Sequence, residues 1–403
     1  MSDWLEISRN QAEERFRSLP TPSLKDENFR NTSLSEMNFG GKAEALSDIA
    51  VPVELSQLQA DESALLSFIG EEATLSGKVT GVVFDDLEHL AVGGNQAVRQ
   101  AFRDSTSFRD DKFAQLTAAR WKNGAFLHVS AGVKLTQPVR IASSPSENEF
   151  HSRHLVLLEE GAEAVLFLES WSGEKDIFVG EMLELRLAKD AKLHLVTLQR
   201  FGSATQAMLR QRAELGEGAE LKITSLHFGG RKAQLRQQVD LLGEGSLCHI
   251  EAASYGMRDQ HFDFWLDMNH KAPKTLSEMN YWFVMNERAR AVFNGLIQIA
   301  PKSTDCVANQ KSKSLLIGNK ATVNSIPKLI IQNDAVKCSH GASISSVNPE
   351  QVHYLQSRGI SKREAERMII RGFAEHVLDR IPGESFHSRA SAELDAKERG
   401  LLQ

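Results

Sequence analysis

The stretch GEGAELKITSL, which begins at Gly216, is one of four copies of a pattern that predicts the fold. Each copy has an acidic residue, then one or two small residues, then a run in which apolar and polar residues alternate. Such alternation is typical of a β-strand with one buried face. The other copies are EEGAEAVLFLE, KDAKLHLVTLQ and GEGSLCHIEAA, which begin at Glu159, Lys189 and Gly243.

The small residue before each run fixes the length of the repeat. Successive positions are 29, 28, 27 and 29 residues apart in the series Ala162, Ala191, Ala219, Ser246 and Thr275. A second alternating run lies within each period: EMLELRL, MLRQRAEL, LRQQVDLL and FDFWLDM, from Glu181, Met208, Leu235 and Phe262. Two strands per period are typical of one coil of a β-solenoid. Since parallel crossovers are overwhelmingly right-handed, we predict a right-handed parallel β-helix over residues 123–347.

Two other β-folds fit the pattern less well. A left-handed hexapeptide helix needs a six-residue repeat, and this sequence has none. An antiparallel sandwich should place turns every 8–12 residues or so rather than in a two-strand period. The predicted class is therefore mainly β, with helical segments before and after the solenoid.

Residues 1–122 are predicted to be mostly helical. Apolar residues recur at helical spacing in the first segment, and two prolines end it: Trp4, Leu5, Ala12, Phe16 and Leu19, then Pro20 and Pro22. A further helix is predicted over residues 95–103, and residues 107–120 carry an apolar stripe. This region is either a helical cap on the solenoid or an independent binding module.

Residues 348–383 are predicted to form a helical hairpin. Gly359 suits the position after the first helix, and Ser361 with Glu364 forms a capping box for the second, which Pro382 ends. An apolar stripe follows the second helix: Ile369, Phe373, Val377 and Ile381. The stripe either packs on the protein's own core or binds a partner. Residues 384–403 are predicted to be a polar, frayed tail.

Composition excludes several classes of function. Lys and Arg number 47 against 53 Asp and Glu, so no overall basic excess supports binding to nucleic acid. No apolar run is long enough to cross a membrane, and the N-terminal residues do not resemble a secretory signal. Three scattered cysteines fit a reducing, cytoplasmic compartment. No P-loop motif occurs, so we expect that the chain does not bind ATP as a P-loop protein, and GxGxxG, GxSxG and HExxH motifs are also absent.

The compact constellation is Cys338-Ser339-His340, within NDAVKCSHGAS. In a strand, residues i and i+2 face the same side, so the thiol and the imidazole project together. Both are ligands for iron or zinc, but two are too few, so a second chain would have to complete a metal site. The pair could also be a thiolate nucleophile, or a buried cysteine beside a hydrogen-bonded histidine. His151 and His154 lie three apart, which places them on opposite faces and disfavours a shared metal.

Five segments of the second half resemble the SufB/SufD family of iron–sulfur cluster assembly scaffolds, most closely SufD. They are HKAPKT, ARAVFNGLIQI, STDCVANQKSKSLL, SIPKLIIQNDAVKCSHGAS and YLQSRGISKREAERMIIRGFAEHVL. NGAFLHVSAGV resembles the family's first coil, and PTPSLKDENFRN resembles a degraded N-terminal motif with Lys25, Glu27 and Phe29. Cys306 departs from the family pattern, and no role is assigned to it.

The resemblance implies a fold, partners and a function. It implies a right-handed β-helix, a SufB-like paralogue as neighbour, and a SufC-like ABC ATPase docked on the C-terminal helices. We therefore expect a non-catalytic scaffold subunit without a stably bound cofactor, which shares iron or a nascent cluster with SufB at His340 and Cys338. Whether a flavin binds is left open. The alternatives are a polysaccharide-active β-helix enzyme and a structural β-helix homodimer; SufD-like chains can also self-associate in isolation.

Overall fold

The computed structural model describes residues 3–35, 37–47, 50–104 and 108–401. Helices lie before and after the strands: α1 (Asp3–Ser18), α2 (Leu87–Val92), α3 (Gln96–Asp104), α4 (Lys112–Arg120), α5 (Pro349–Ser357), α6 (Lys362–Leu378) and α7 (Glu384–Leu401). Ser107, the first residue of the predicted stripe, lies outside the described residues. The described part of the chain contains no helix that is both long and apolar enough to span a membrane.

The strands form a parallel β-solenoid of about eight turns. They are β1 (Ala64–Ile69), β2 (Glu72–Gly77), β3 (Val82–Asp86), β4 (Ala125–Val129), β5 (Val139–Ser144), β6 (Glu149–Leu158), β7 (Glu163–Trp171), β8 (Phe178–Leu187), β9 (Lys192–Phe201), β10 (Gln206–Leu215), β11 (Glu220–Gly229), β12 (Lys232–Leu241), β13 (Leu247–Gly256), β14 (His261–His270), β15 (Leu276–Met285), β16 (Arg290–Ile299), β17 (Cys306–Leu316), β18 (Thr322–Ile331) and β19 (Val336–Ser346).

Consecutive strands from β4 to β19 alternate between two sheets. The ten-stranded sheet has the order β19-β17-β15-β13-β11-β9-β7-β5-β1-β2, and the nine-stranded sheet has the order β18-β16-β14-β12-β10-β8-β6-β4-β3. Each coil therefore adds one strand to each sheet. The predicted parallel solenoid with two strands per period is confirmed, and its right hand stays a prediction.

The series of small residues is the structural repeat of the solenoid. The carbonyl of Ala162 accepts a hydrogen bond of 2.8 Å from the amide of Lys192, and that of Ala191 accepts one of 2.9 Å from Glu220. The same bond recurs at each later member of the series, whose side chains are all buried: Ala219, Ser246 and Thr275. A small side chain lets the coils stack closely at this corner, which explains the pattern in the sequence.

Three strands that precede the parallel coils lie within the region predicted to be mostly helical: β1, β2 and β3. β2 is antiparallel to β1, and β3 is antiparallel to β4. The sequence prediction missed these strands, because ALLSFI in β1 is a short apolar run that does not distinguish a strand from a buried helix. β1 pairs in parallel with β5, so the N-terminal region is continuous with the ten-stranded sheet.

The N-terminal helices cover the outer face of the nine-stranded sheet. Phe113 and Leu116 of α4 pack on Phe178 of β8 and Met208 of β10, and all four side chains are buried. The region is thus a helical cap on the solenoid rather than an independent module. This cap shields a face of the sheet that would otherwise expose apolar side chains to water.

The C-terminal residues correct a second prediction. Residues 384–401 form α7 rather than a frayed tail. Phe386, Ala390 and Leu394 recur every four residues and are buried against the ten-stranded sheet. The ring of Phe386 stacks on Phe167 with a centroid distance of 4.2 Å. The many polar residues of this segment lie on the outer side of α7, and three apolar positions are enough to pack the helix on the sheet. Residues 402–403 lie outside the described residues.

Candidate functional site

Cys338 and His340 lie in the last described coil of the solenoid. They belong to β19, which forms the edge of the ten-stranded sheet, while β18 forms the edge of the other sheet. In register, Cys338 lies beside Ala308 of β17 and His340 lies beside Gln310. Both neighbours are buried, so the two candidate ligands are on the face that continues the interior of the solenoid. This register agrees with the prediction that the two side chains project from the same face of the strand.

The two side chains differ in exposure. Cys338 is half-buried and packs against the solenoid core, whereas His340 is exposed and forms no hydrogen bond to any described residue. Burial raises the pKa of the Cys338 thiol, and the nearby Cys306 contributes to the same shift. The thiol is therefore protonated at neutral pH, and a bound cation would be needed to stabilise the thiolate. Ser339 points elsewhere and donates a hydrogen bond of 2.6 Å to Asn309 Oδ1.

Near Cys338 and His340 lie further polar groups to which the sequence assigned no role. The side-chain amide of Gln310, next to His340, is buried with neither atom hydrogen-bonded. Cys306 is buried one coil inward, and its Sγ lies 3.1 Å from Thr275 Oγ1. That hydroxyl lies 2.7 Å from Nδ1 of His270, whose Nε2 lies 2.8 Å from Ser277 Oγ.

This second group has a structural explanation. Burial lowers the pKa of His270 to about 4, so the ring is neutral at pH 7 and hydrogen-bonded through both nitrogens. Cys306 Sγ lies 3.4 and 3.6 Å from the carbonyls of Ser303 and Thr304, in the turn before its own strand, and 3.5 Å from the Ala272 carbonyl one coil earlier. We read the segment HKAPKT as a hydrogen-bonded corner that fixes the coil beneath β19. The signal that could have identified it is the position of Thr275 in the small-residue series.

Metal-binding capacity within this chain is limited. No cluster of three or more His, Cys, Asp or Glu side chains suited to a metal ion occurs among residues 3–35, 37–47, 50–104 and 108–401. His151 and His154 have separate partners: His151 Nε2 lies 2.9 Å from Glu149 Oε1, and His154 Nδ1 accepts from the Ala125 amide at 3.1 Å. Cys338 and His340 together offer two donors, so a metal or cluster bound there would need ligands from elsewhere.

The structure places the four residues of the predicted apolar stripe in two different environments. Val377 and Ile381 are buried against the ten-stranded sheet, so they pack on the protein's own core and are not available to a partner. Ile369 and Phe373 are half-buried and line a cleft between α5 and α6. The difference arises because a four-residue spacing drifts around the helix, which turns the end of the stripe inward.

The cleft has a volume of about 640 Å³ and a mostly apolar lining, with Asn348, Glu350 and Gln351 as its polar members. Tyr354 and Met368 are 58% and 45% exposed at its rim. Gly359, with φ of 86°, allows the turn that sets α5 against α6. Ser361 caps α6 by accepting from the Glu364 amide at 3.2 Å. The Glu364 carboxylate binds Arg367 instead of completing the capping box.

A segment of the N-terminal region crosses the outer face of the nine-stranded sheet. It contains PTPSLKDENFRN, and Phe29 is buried there with the guanidinium carbon of Arg236 5.1 Å from its ring centroid. Lys232 Nζ donates to the Ser33 carbonyl at 3.0 Å, and Glu27 forms an ion pair with Lys328 of β18. The segment therefore connects the N-terminal cap to the last coil, next to the candidate site.

Comparisons with known proteins agree with this architecture. Residues 140–373 match the model described as SUF system FeS cluster assembly, SufBD core domain, and residues 1–141 match the model of the SufBD protein N-terminal region. The chain is 27% identical over 310 residues to an iron–sulfur cluster assembly SufBD family protein of Staphylococcus epidermidis. Family members of Staphylococcus haemolyticus and Staphylococcus aureus are 26% identical over the same length.

These matches cover 75% of the chain and 66% of the length of each relative, which is slightly less than two thirds. The core model alone spans more than half of the chain, including the coils from β5 to β19 and most of α6. The chain therefore belongs to the SufBD family of the SUF system for iron–sulfur cluster assembly.

Proposed function

We propose that this chain is a non-catalytic, SufD-like scaffold subunit of a cytoplasmic SufBCD-type complex. In this role it helps to build and transfer nascent iron–sulfur clusters and supports iron uptake at an interface with a SufB-like paralogue. The observation that carries the proposal is the last coil, where β18 and β19 end their sheets next to Cys338 and His340.

The edges of this coil suit a homologous neighbour. In the described chain, β18 and β19 each pair with one strand only, which leaves backbone donors and acceptors for another chain. Ile326, Ile330, Ile331 and Ile344 are exposed on these two strands. A paralogue with the same two-strand coil could add a strand to each sheet and cover these side chains.

The chemistry of the two donors suits a shared cargo site. A neutral imidazole and a thiolate are good ligands for iron, and the partner would supply the remaining ligands. Because burial raises the pKa of the Cys338 thiol, binding of iron would release its proton. The cluster is cargo on this account rather than a resident cofactor, and no flavin is assigned.

The cleft between α5 and α6 is the proposed docking surface for a SufC-like ABC ATPase. Its lining residues Ile369, Phe373, Tyr354 and Met368 combine apolar and aromatic side chains at the surface. Such side chains dominate protein interfaces when they are buried by a partner. α6 itself is fixed by its contacts with β13 and β15, so the cleft is presented on a rigid base.

Co-expression tests the assembly directly. The tagged chain, expressed with a SufB-like paralogue and a SufC-like ATPase from the same source, should recover both proteins on purification. A homodimer that excludes the paralogue when both are present would contradict the scaffold role and favour the structural homodimer. The family assignment does not favour the polysaccharide-active alternative, and cleavage of a sugar chain by the pure protein would overturn the proposal.

A further inference from the structure

A pocket of about 360 Å³ lies between α1, α3, α4 and the nine-stranded sheet, far in sequence from the last coil. Its lining includes four arginines from different segments: Arg15 of α1, Arg99 of α3, Arg109 before α4, and Arg153 of β6. None of the described residues that line it is acidic. The pocket therefore concentrates positive charge on a chain whose net charge is −6.

The four arginines are not equivalent. Arg153 is buried, and its Nη2 and Nε donate to Glu184 Oε2 at 2.7 and 3.2 Å. Its guanidinium carbon also lies 4.2 Å from the ring centroid of Phe102. Arg15, Arg99 and Arg109 are exposed, and the described structure pairs none of them with a carboxylate. This differs from Arg120, Arg200 and Arg210, each of which has an acidic partner.

Converging guanidinium groups without a counter-charge repel each other, and a bound anion would relieve that repulsion. The planar fork of an arginine binds two phosphate oxygens at once, and several arginines together favour a multiply charged anion. The remaining lining combines apolar and aromatic side chains, which include Trp4, Phe102 and Met182, with the polar side chains of Ser8, Gln11 and Gln115. Trp4 and Phe102 pack edge to face with a centroid distance of 5.2 Å.

We propose that this pocket binds a phosphate-bearing small molecule whose non-phosphate part packs against Trp4 and Phe102. Its volume is near the lower limit of small-molecule sites, which suits a nucleotide-sized ligand. The three exposed arginines bind the phosphate. Arg153, held by Glu184 and Phe102, closes the inner end of the pocket.

Calorimetric titration of the full chain with adenosine monophosphate, adenosine and pyrophosphate tests the proposal. We expect saturable binding of adenosine monophosphate and of pyrophosphate, and at least about tenfold weaker binding of adenosine, because adenosine lacks the phosphate that the guanidinium groups bind. Equal affinity for adenosine and its monophosphate, or no saturable heat with either phosphate compound, would overturn it.

Matched variants locate the site. Arg99→Gln and Arg15→Gln should each weaken binding by about tenfold, because each removes one guanidinium from the phosphate. Arg17→Gln is the control: Arg17 is on the same helix α1 but forms an exposed ion pair with Glu13 outside the pocket. Circular dichroism would reveal a variant that fails to fold, and the second pocket variant then still tests the site. If Arg17→Gln weakens binding as much as the pocket variants do, binding depends on the general surface charge and not on this pocket, and the proposal is wrong.

Discussion

At the scale of a single residue, Glu181 inside the solenoid makes the stability of the folded chain depend on pH. It lies on the inner face of β8, between the core residues Val179 and Leu183, and is 4% exposed. Ser170 Oγ donates to its Oε2 at 2.9 Å, but burial dominates and raises the pKa of the carboxyl group to about 7. The protonated form is therefore the stable one inside the coil.

The sign of the resulting pH dependence follows from this shift. In the unfolded chain the carboxyl group loses its proton near its ordinary pKa, while the folded chain retains the proton up to about pH 7. The stability that the protonated Glu181 contributes to the folded chain is thus complete at low pH. It is lost as pH rises from about 4.5 to 7.

Glu181→Gln should abolish this loss because glutamine stays neutral. We expect the variant to match the wild type at pH 4 and to be more stable at pH 8.5, by up to about 3 kcal/mol of unfolding free energy. Urea unfolding at the two pH values measures the difference. Glu163→Gln, on the exposed rim of the neighbouring strand, is the control. A stability difference independent of pH would show that Glu181 is ionised in the folded protein.

At the scale of secondary-structure elements, a buried charge cluster attaches α7 to the solenoid. Glu169 of β7 is completely buried and accepts from Arg140 of β5 at 3.2 Å and from Arg200 of β9 at 2.6 Å. Arg389 of α7 lies 3.7 Å from the same carboxylate and 3.4 Å from Glu62. The cluster thus joins three neighbouring coils, the segment before β1 and the C-terminal helix.

Glu169→Gln should destabilise the protein strongly, by about 3 kcal/mol, because it removes the buried carboxylate that Arg140, Arg200 and Arg389 share and leaves Glu62 to balance both Arg140 and Arg389. Glu163→Gln on the same strand removes only an ion pair at the rim with Lys134, and we expect a cost below about 1 kcal/mol. Chemical unfolding of both variants at pH 7 gives the comparison. Similar small effects from the two substitutions would mean that the cluster contributes little net stability.

The cleft between α5 and α6 gives a second prediction for an element. Met368→Glu places a charge at its rim and should reduce co-purification of the SufC-like ATPase by at least about tenfold, since a desolvated charge opposes binding. Phe373→Asp should act in the same direction, although Phe373 also contacts Trp282 at a centroid distance of 5.3 Å.

The control for this experiment is Gln356→Glu, on an exposed part of α5 outside the cleft. It should leave the recovery of the ATPase unchanged. Circular dichroism would confirm that each variant retains the β-solenoid. Full recovery of the ATPase with both Met368→Glu and Phe373→Asp would show that the cleft is not the docking surface.

The elements also show what the sequence could predict. The small-residue series predicted the coils because the repeat recurs at each corner, and Ser361 predicted the start of α6 because its cap is local. By contrast, the partners of Glu169 lie 29 and 31 residues away along the chain, and Arg389 lies much farther still. Only the stacked coils bring these charges together, so no local pattern reveals them.

At the scale of the whole molecule, the two ends of the solenoid differ in the strands that finish each sheet. At the N-terminal end the two sheets finish with the antiparallel strands β2 and β3, whereas at the other end they finish with the parallel strands β18 and β19, next to Cys338 and His340. The sequence identified these two residues as a pair but did not indicate that Cys338 is partly covered by the core while His340 is exposed. That asymmetry makes His340 the better candidate for a ligand shared with a partner.

Reconstitution of the co-expressed complex with iron and sulfide tests the central claim most directly. His340→Ala should leave the subunits associated but abolish the visible absorbance of the cluster, because the shared site loses a ligand. His353→Ala, on the exposed surface of α5, is the matched control and should retain the full signal. A full cluster signal from the intact His340→Ala complex would contradict the account and leave Cys338-Ser339-His340 as a structural part of the last coil.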